Sequence, residues 1–413
     1  MSDLLRQTIE ANRAGAPAVL PSVCSAHEVV LEASMRLAGA LGRPLIVEAT
    51  SNQVNQFGGY TGMKPADFVG FVRSIAEDCG FDAASLIFGG DHLGPQVWRK
   101  APAAEAMAKA ERLVADYTSA GFTKIHLDCS EGCQGEPAQV SDATSATRAA
   151  ALAKVCEATA ADPSKLSYMV GTEVPPPGGA HGDGEAVTPT NPAAAEATLQ
   201  AHFRAFEAAG IPEAKARIVA LVVQPGVEFS PTEVHHLPAG GNPALKAVLA
   251  PHEGLCFEAH STDYQRPGAY PALAEMGFAI LKVGPALTHA YRQALYALDP
   301  KSSLPEVMES LMLANPAHWQ SHYHGDAATL KRLRHTGLAD RIRYYWAQPE
   351  AMEAVETLMN SPIDPDLSTR FSPETTARAE ALHEAGQPLA RAYVLAEIQQ
   401  ALAPYFFGEA ANG

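Results

Sequence analysis

No run of apolar residues in this 413-residue sequence approaches the roughly 20 that a membrane span requires, so no spanning helix is expected. The opening stretch, MSDLLRQTIEANRAGAP, likewise lacks the apolar core of a secretion signal; its charged, helical pattern makes a cytoplasmic protein the expectation. Basic residues are also scarce. Thirty Lys and Arg stand against 46 Asp and Glu, and the net charge of −16 repels the phosphates of nucleic acid and anionic lipid headgroups. That leaves small molecules and other proteins as partners. Cysteine is sparse, with six residues at 24, 79, 129, 133, 156 and 256, no metal-type CxxC pair and no disulfide framework. Reduced thiols are expected, and Cys129 and Cys133, a CxxxC in LDCSEGCQG, are read as structural.

What the sequence does have is a repeated alternation. Short apolar runs rich in β-formers recur at 18–25, 44–52, 85–92, 124–130, 167–174, 218–225, 255–262 and 278–285, separated by longer amphipathic stretches. PADFVGFVRSIAEDCG opens on Pro65 and closes at Gly80, and AAEAMAKAERLVADYTSAGF has helix formers throughout. Eight strands buried on both faces, each followed by a helix, predict an α/β protein of the (β/α)8 TIM barrel class. A doubly wound open sheet would gather its polar residues at one switch point, whereas here nearly every run ends in them. Beyond about Asp299 only helical patterns follow, so the expected organisation is a barrel over 1–298 and a helical C-terminal appendage over 299–413 packed on it. The segments after the second strand (SNQVNQFGGYTGMKPAD) and the fifth (VPPPGGAHGDGEAVTPTNP) are candidate substrate lids.

The strand ends carry Glu48, Asn52, Asp91, His92, Asp128, Glu173, Gln224, Glu258, His260, Asp263 and Lys282. Imidazoles and a carboxylate from separate strands are the usual set for a divalent metal that keeps one position open, and His92, Glu173 and His260 are the expected ligands, with Asp128 and Gln224 in reserve. In an extended chain Asp91 points away from His92, which suits it to acid/base work. Glu48 sits in an apolar strand, where an unpaired carboxylate is costly, so it is either salt-bridged or functional; Lys282 is a candidate partner, an oxyanion stabiliser or a Schiff-base amine. Ser261, Thr262 and Gly284, after the seventh and eighth strands, are the candidate phosphate cradle. Asn52 and Gln53 offer amides to a polyol. His318, His322 and His324 in the tail are assigned a solvated or interface role, and His235 and His236 none.

SVCSAH, IVEATSNQVNQFGGYTGM, GGDHLGP, KIHLD, GTEVP, VVQPGVEF, FEAHSTDYQ, LKVGPALT and DRIRYYW together resemble the GatZ/KbaZ family, over about residues 20 to 350. That family is described as the accessory subunit of class II tagatose-1,6-bisphosphate aldolase, and part of it is similar to proteins assigned as ketose-phosphate 4-epimerases. The resemblance to class II aldolases implies that His92 and His260 bind a divalent metal (Zn, Mn or Mg) with Glu173, and that Asp91 and Asp128 exchange protons while Lys282 steadies an oxyanion. From their places at the strand ends and in the loop after the second strand, Asn52, Gln53, Gln224, Ser261, Thr262, Asp263 and Gly284 are the expected contacts to a phosphorylated ketohexose. Gln224 stands where a further aldolase ligand histidine would be sought, a departure that disfavours zinc and complete aldolase turnover. Two readings follow: a tagatose 6-phosphate/fructose 6-phosphate 4-epimerase, or a non-catalytic partner of a class II aldolase subunit. Homo-oligomerisation is left open.

Overall fold

In the computed structural model, which describes residues 2–172, 187–362, 364 and 366–408, the eight runs close into one parallel barrel. Its first six strands are β1 (Leu20–Cys24), β2 (Leu45–Thr50), β3 (Leu86–Leu93), β4 (Lys124–Leu127), β5 (Ser167–Gly171) and β6 (Ile218–Val222). A small antiparallel hairpin follows, β7 (Glu228–Phe229) with β8 (Val234–His235), and then β9 (Cys256–Ala259) and β10 (Phe278–Val283) complete the ring, β10 pairing with β1. Local signals explain the helices between them. The helix Pro65–Asp78 starts on a proline whose fixed φ suits the first turn. Ser141 caps Asp142–Thr159 by accepting from Thr144 N, and Ala103–Ala120 ends at Gly121, whose φ of 99° is the left-handed conformation that glycine adopts freely.

Side chains alternate along each strand, and inside the barrel that period of two builds layers. The lowest is apolar: Leu20, Ile46, Ile87, Val219 and Ile280 pack with Leu5 and Ile9 of the N-terminal helix Asp3–Arg13, which plugs that end. One step up lie Glu48, Lys124, Glu258 and Lys282, and a further step brings Asp91, His126 and His260 to the opposite, C-terminal mouth. Gly89 is the neutral member of the middle layer. A Cβ there would meet Glu48 Cγ at 2.7 Å, so the missing side chain is what makes room for the carboxylate.

The tail packs on the barrel and arches over its mouth. Helix Leu389–Leu402 lies against the barrel helices Glu28–Ala40 and Pro285–Leu298; Arg391 pairs with Glu32, and Gln399 Nε2 donates to Ala33 O at 3.2 Å. The segment 329–346, read as a helical pattern, is in fact broken: helix Ala327–Thr336 stops before Gly337, and a single 3₁₀ turn follows at Arg341–Tyr345. Asp340 sets that break with a φ of 45°, its carboxylate bound by Arg292 Nε (3.0 Å) and Thr288 Oγ1 (2.6 Å). No helix among the described residues is long and apolar enough to cross a membrane, and all six cysteines are free thiols.

Candidate active site

Five charged groups meet in the upper barrel with almost no access to water. Lys124 Nζ pairs with Glu48 Oε1 and, at 2.7 Å, with Glu258 Oε2; Lys282 Nζ lies 2.9 Å from Glu48 Oε2, 3.7 Å from Glu258 Oε1 and in contact with Asp91 Oδ1. Glu48 thus has the Lys282 partner anticipated for it, and Lys124 as a second. In Glu258 and Lys282 burial opposes the charge but the pairing wins: Glu258 is held well below the usual carboxylate range by Lys124 and Lys282, and Lys282 well above the usual amine range by Asp91 and Glu48. An ammonium so held is a poor Schiff-base nucleophile, since imine formation needs the neutral amine. Three carboxylates against two lysines leave the cluster one negative charge in excess.

Above this layer three imidazoles form a triangle. The ring centroids of His92, His126 and His260 stand 5.0, 5.1 and 5.1 Å apart. Each ring has one nitrogen against an oxygen that can take its N–H: His92 Nδ1 faces Asp128 Oδ2 at 2.9 Å, His126 Nε2 faces Gly171 O at 3.1 Å, and His260 Nε2 faces Glu258 Oε1 at 3.0 Å. Where those nitrogens carry the ring protons, His92 Nε2 and His126 Nδ1 keep their lone pairs toward the centre, the arrangement by which outer partners orient metal ligands. His126 Nδ1 also lies 3.0 Å from Asp91 Oδ1 and 3.3 Å from the His92 backbone N–H, so either a ring proton or a bound cation can bridge it to the carboxylate. Two sets of donors, Asp91/His92/His126 and His126/Glu258/His260, each have their ligand atoms mutually within 4.8 Å. The residues therefore fit a divalent metal, with His126, absent from the expected ligands, common to both sets. Glu173, expected as the third ligand, lies outside the described residues.

Backbone strain marks the same place. His92 and Ser261, each next to a functional residue at its strand end, take φ values of 48° and 50°, a region that non-glycine residues seldom occupy. Asp128 is held as an orienter, its Oδ1 accepting from Ser130 N (3.0 Å) and Ser130 Oγ (2.7 Å) while Oδ2 engages His92. Gly94 permits the crossing: a Cβ there would fall 1.8 Å from Asp128 O.

A cavity of ≈ 430 Å³ opens over Asp91, His92, His260 and Lys282, roofed by hairpin residues Phe229–Thr232 and by Arg341 and Arg343 from the tail. A second, of ≈ 470 Å³, adjoins it at Thr50 and His92 and reaches Asn52, Gln53 and Tyr344. Of the polyol candidates, Asn52 is exposed at this rim, and Gln53 is buried with its Oε1 accepting from Thr50 N at 2.8 Å. Gln224 lines neither cavity; its Oε1 accepts from Gly226 N and Val227 N at 2.8 and 2.9 Å and builds the turn into the hairpin. The proposed phosphate cradle is already engaged. Asp263 Oδ1 accepts from Gly284 N (3.1 Å) and Ala286 N (2.8 Å) at the start of helix Pro285–Leu298, and Thr262 Oγ1 donates to Lys282 O at 2.6 Å; only Ser261 of that trio lines the cavity with its hydroxyl uncommitted. Burial pushes the Asp263 carboxyl up to about 6 against those N–H bonds. His322 and His324, read as solvated or interface residues, line the first cavity, and neither belongs to a metal-competent group among the described residues.

A parallel barrel whose C-terminal mouth holds two metal-competent groups sharing His126 over a buried carboxylate–lysine cluster is the architecture of a barrel enzyme. The chain belongs to the GatZ/KbaZ-like family: the family model described as "D-tagatose-1,6-bisphosphate aldolase subunit GatZ/KbaZ-like" matches residues 5–410. It is 50% identical, over 92% of its length and 91% of the relative's, to a protein of Agrobacterium fabrum named D-tagatose 6-phosphate 4-epimerase. A crystal structure from Sinorhizobium meliloti 1021, described as a probable tagatose 6 phosphate kinase, superposes with a TM-score of 0.83 at 44% identity, covering 94% of this chain and 99% of that one.

Proposed function

We propose that this chain is a ketohexose-phosphate 4-epimerase interconverting D-tagatose 6-phosphate and D-fructose 6-phosphate. The family relationship supports it, as does the half-identical relative bearing that name. The observation that carries it is chemical: a carboxylate, an ammonium and two imidazoles line one cavity, with the buried His126 ring packed against both imidazoles. C4 is not adjacent to the C2 carbonyl, so its stereocentre cannot be inverted by enolisation. Breaking C3–C4 can invert it. Asp91, kept ionised beside Lys282, takes the C4 hydroxyl proton; C4–O becomes a carbonyl, and the C3–C4 electron pair passes into an enediolate over C2 and C3. Lys282 donates toward that oxyanion, the released aldehyde turns its other face, C3 attacks it again, and Asp91 returns the proton to the new C4 alkoxide.

A divalent metal held by His126 with His92 and Asp91, or by His126 with His260 and Glu258, would supply Lewis-acid stabilisation of the C2 oxygen. Two imidazoles with one carboxylate suit Zn²⁺ or Mn²⁺ better than Mg²⁺, whose preference is for oxygen. In this scheme Asp128 orients His92 and exchanges no proton itself.

The test is conversion of D-tagatose 6-phosphate by the purified chain, alone and with Zn²⁺, Mn²⁺ or Mg²⁺, followed as fructose 6-phosphate in a coupled dehydrogenase assay. Product that a chelator abolishes and that His92→Ala lacks supports the proposal. No product with any metal, together with activation of a class II aldolase subunit by this chain, would replace it with the accessory reading, for which the family description supplies the word subunit.

A further inference from the structure

Basic residues are few in this chain, yet two arginines from the tail, Arg341 and Arg343, line both cavities at the mouth. Among the described residues no carboxylate lies within ion-pairing distance of either. Asp340, the nearest in sequence, has its carboxylate bound by Arg292 and Thr288. The guanidinium groups are held by neutral oxygens instead: Arg341 Nε donates to His318 O at 2.5 Å, and Arg343 Nη1 to Ala339 O and Asp340 O at 2.5 and 3.1 Å. They bracket Tyr344, with Cζ atoms 4.5 and 4.7 Å from its ring centre, and both donate to its hydroxyl, at 3.3 Å from Arg341 and 3.2 Å from Arg343. Tyr344 is clamped in turn by Tyr60, from the loop after β2, at a centroid distance of 4.7 Å, and by the stacked His318 ring at 4.9 Å.

Neutral acceptors fix the direction of a guanidinium without cancelling its charge. Two such groups, locked by stacking at the rim of a cavity, form a preorganised receptor for a doubly charged oxyanion, and an arginine fork matches phosphate geometry. The other anion-binding feature of the mouth, the N-terminus of helix Pro285–Leu298, already holds the Asp263 carboxylate. From these observations we infer that Arg341 and Arg343, braced by Tyr344, bind the phosphate group of the substrate. The inference rests on the proposed function for the identity of the sugar, though the anion site itself does not. It assigns the tail a role in substrate selection: the barrel holds the reacting carbons and the appendage reads the phosphorylated end.

Arg341→Gln, Arg343→Gln and the double variant test it, with circular dichroism to verify folding and Arg343→Lys to separate charge from fork geometry. In the single variants the KM for D-tagatose 6-phosphate and the inhibition constant of inorganic phosphate should rise together by roughly 10- to 100-fold, with kcat changing far less. Arg343→Lys should recover part of that loss. Folded variants with unchanged KM and unchanged phosphate inhibition would overturn the inference, and so would a loss confined to kcat. Titration calorimetry with inorganic phosphate keeps the two proposals apart. Were the wild-type chain inactive, phosphate binding lost in the double variant would still support the anion site, and binding retained there would refute it.

Discussion

Lys124 carries its charge where water cannot follow, fully buried between Glu48 and Glu258. Taking an ion pair out of water costs more than its attraction returns unless every partner is present, so the cluster is held together by mutual necessity. Lys124→Met would leave Glu48 and Glu258 facing Lys282 alone. We expect it to destabilise the protein by about 3–5 kcal/mol, read as a lowered urea midpoint with an unchanged slope. A companion Glu258→Gln substitution should recover part of that loss, because it removes the carboxylate left without its cation. Neither Lys124 nor His126 figured among the residues expected at the site. KIHLD was read for the residue at its end, Asp128, although the alternation of a strand puts residues 124, 126 and 128 on one side. Applying that period backwards from each strand end would have found both. Glu48, Asp91, His92, His260 and Lys282 were legible because a charged or imidazole side chain inside an otherwise apolar run has few structural explanations.

Among the elements, the 3₁₀ turn Arg341–Tyr345 is tied into position over the mouth at its start by a buried ion pair. Asp340 joins it to the last barrel helix through Arg292, whose side chain is only 3% exposed. Asp340→Asn keeps the shape and tolerates the φ of 45°, but leaves the Arg292 guanidinium without its counterion. The expected effect is a loss of about 2–3 kcal/mol in stability together with faster limited proteolysis between residues 337 and 346. Weakened phosphate inhibition should accompany it, since the turn carries Arg341 and Arg343. The eight strands could be read from the sequence because each is a short apolar run between helical patterns, and their observed limits fall within a few residues of the expected ones. The C-terminal turn could not. Its function arises from bringing positions 340–344 over strand ends as far back in the chain as Thr50 and as near as Lys282, a relation with no local periodicity. The hairpin β7–β8 was missed for a related reason: two-residue strands are too short to show an alternation.

For the molecule as a whole, the balance of buried titratable groups sets the response to acid. Burial depresses the imidazole of His289, beside Tyr264, to about 4, and that of the partly buried His27, packed on Tyr291, to about 4 as well. For a base held low in the folded state, the native chain binds fewer protons than the unfolded one. Stability is therefore complete above the ordinary histidine value near 6.5 and declines as pH falls toward 4. His289 alone contributes on the order of 3 kcal/mol to that decline. Asp263, pushed up to about 6, acts with the opposite sign, since its folded form keeps a proton that the unfolded chain releases above about 4. It offsets one of these two, while His202, His260 and His335, also lowered by burial, act with the same sign as the other. Below that window the depressed carboxyls of Asp91, Asp128 and Glu258 add to the loss. Urea midpoints measured at intervals from pH 7.5 down to 4 should fall steadily below about 6.5, and His289→Gln should flatten that slope. A midpoint that stayed level or rose through this interval would mean that Asp263 outweighs both histidines, and that the start of helix Pro285–Leu298 dominates the acid response.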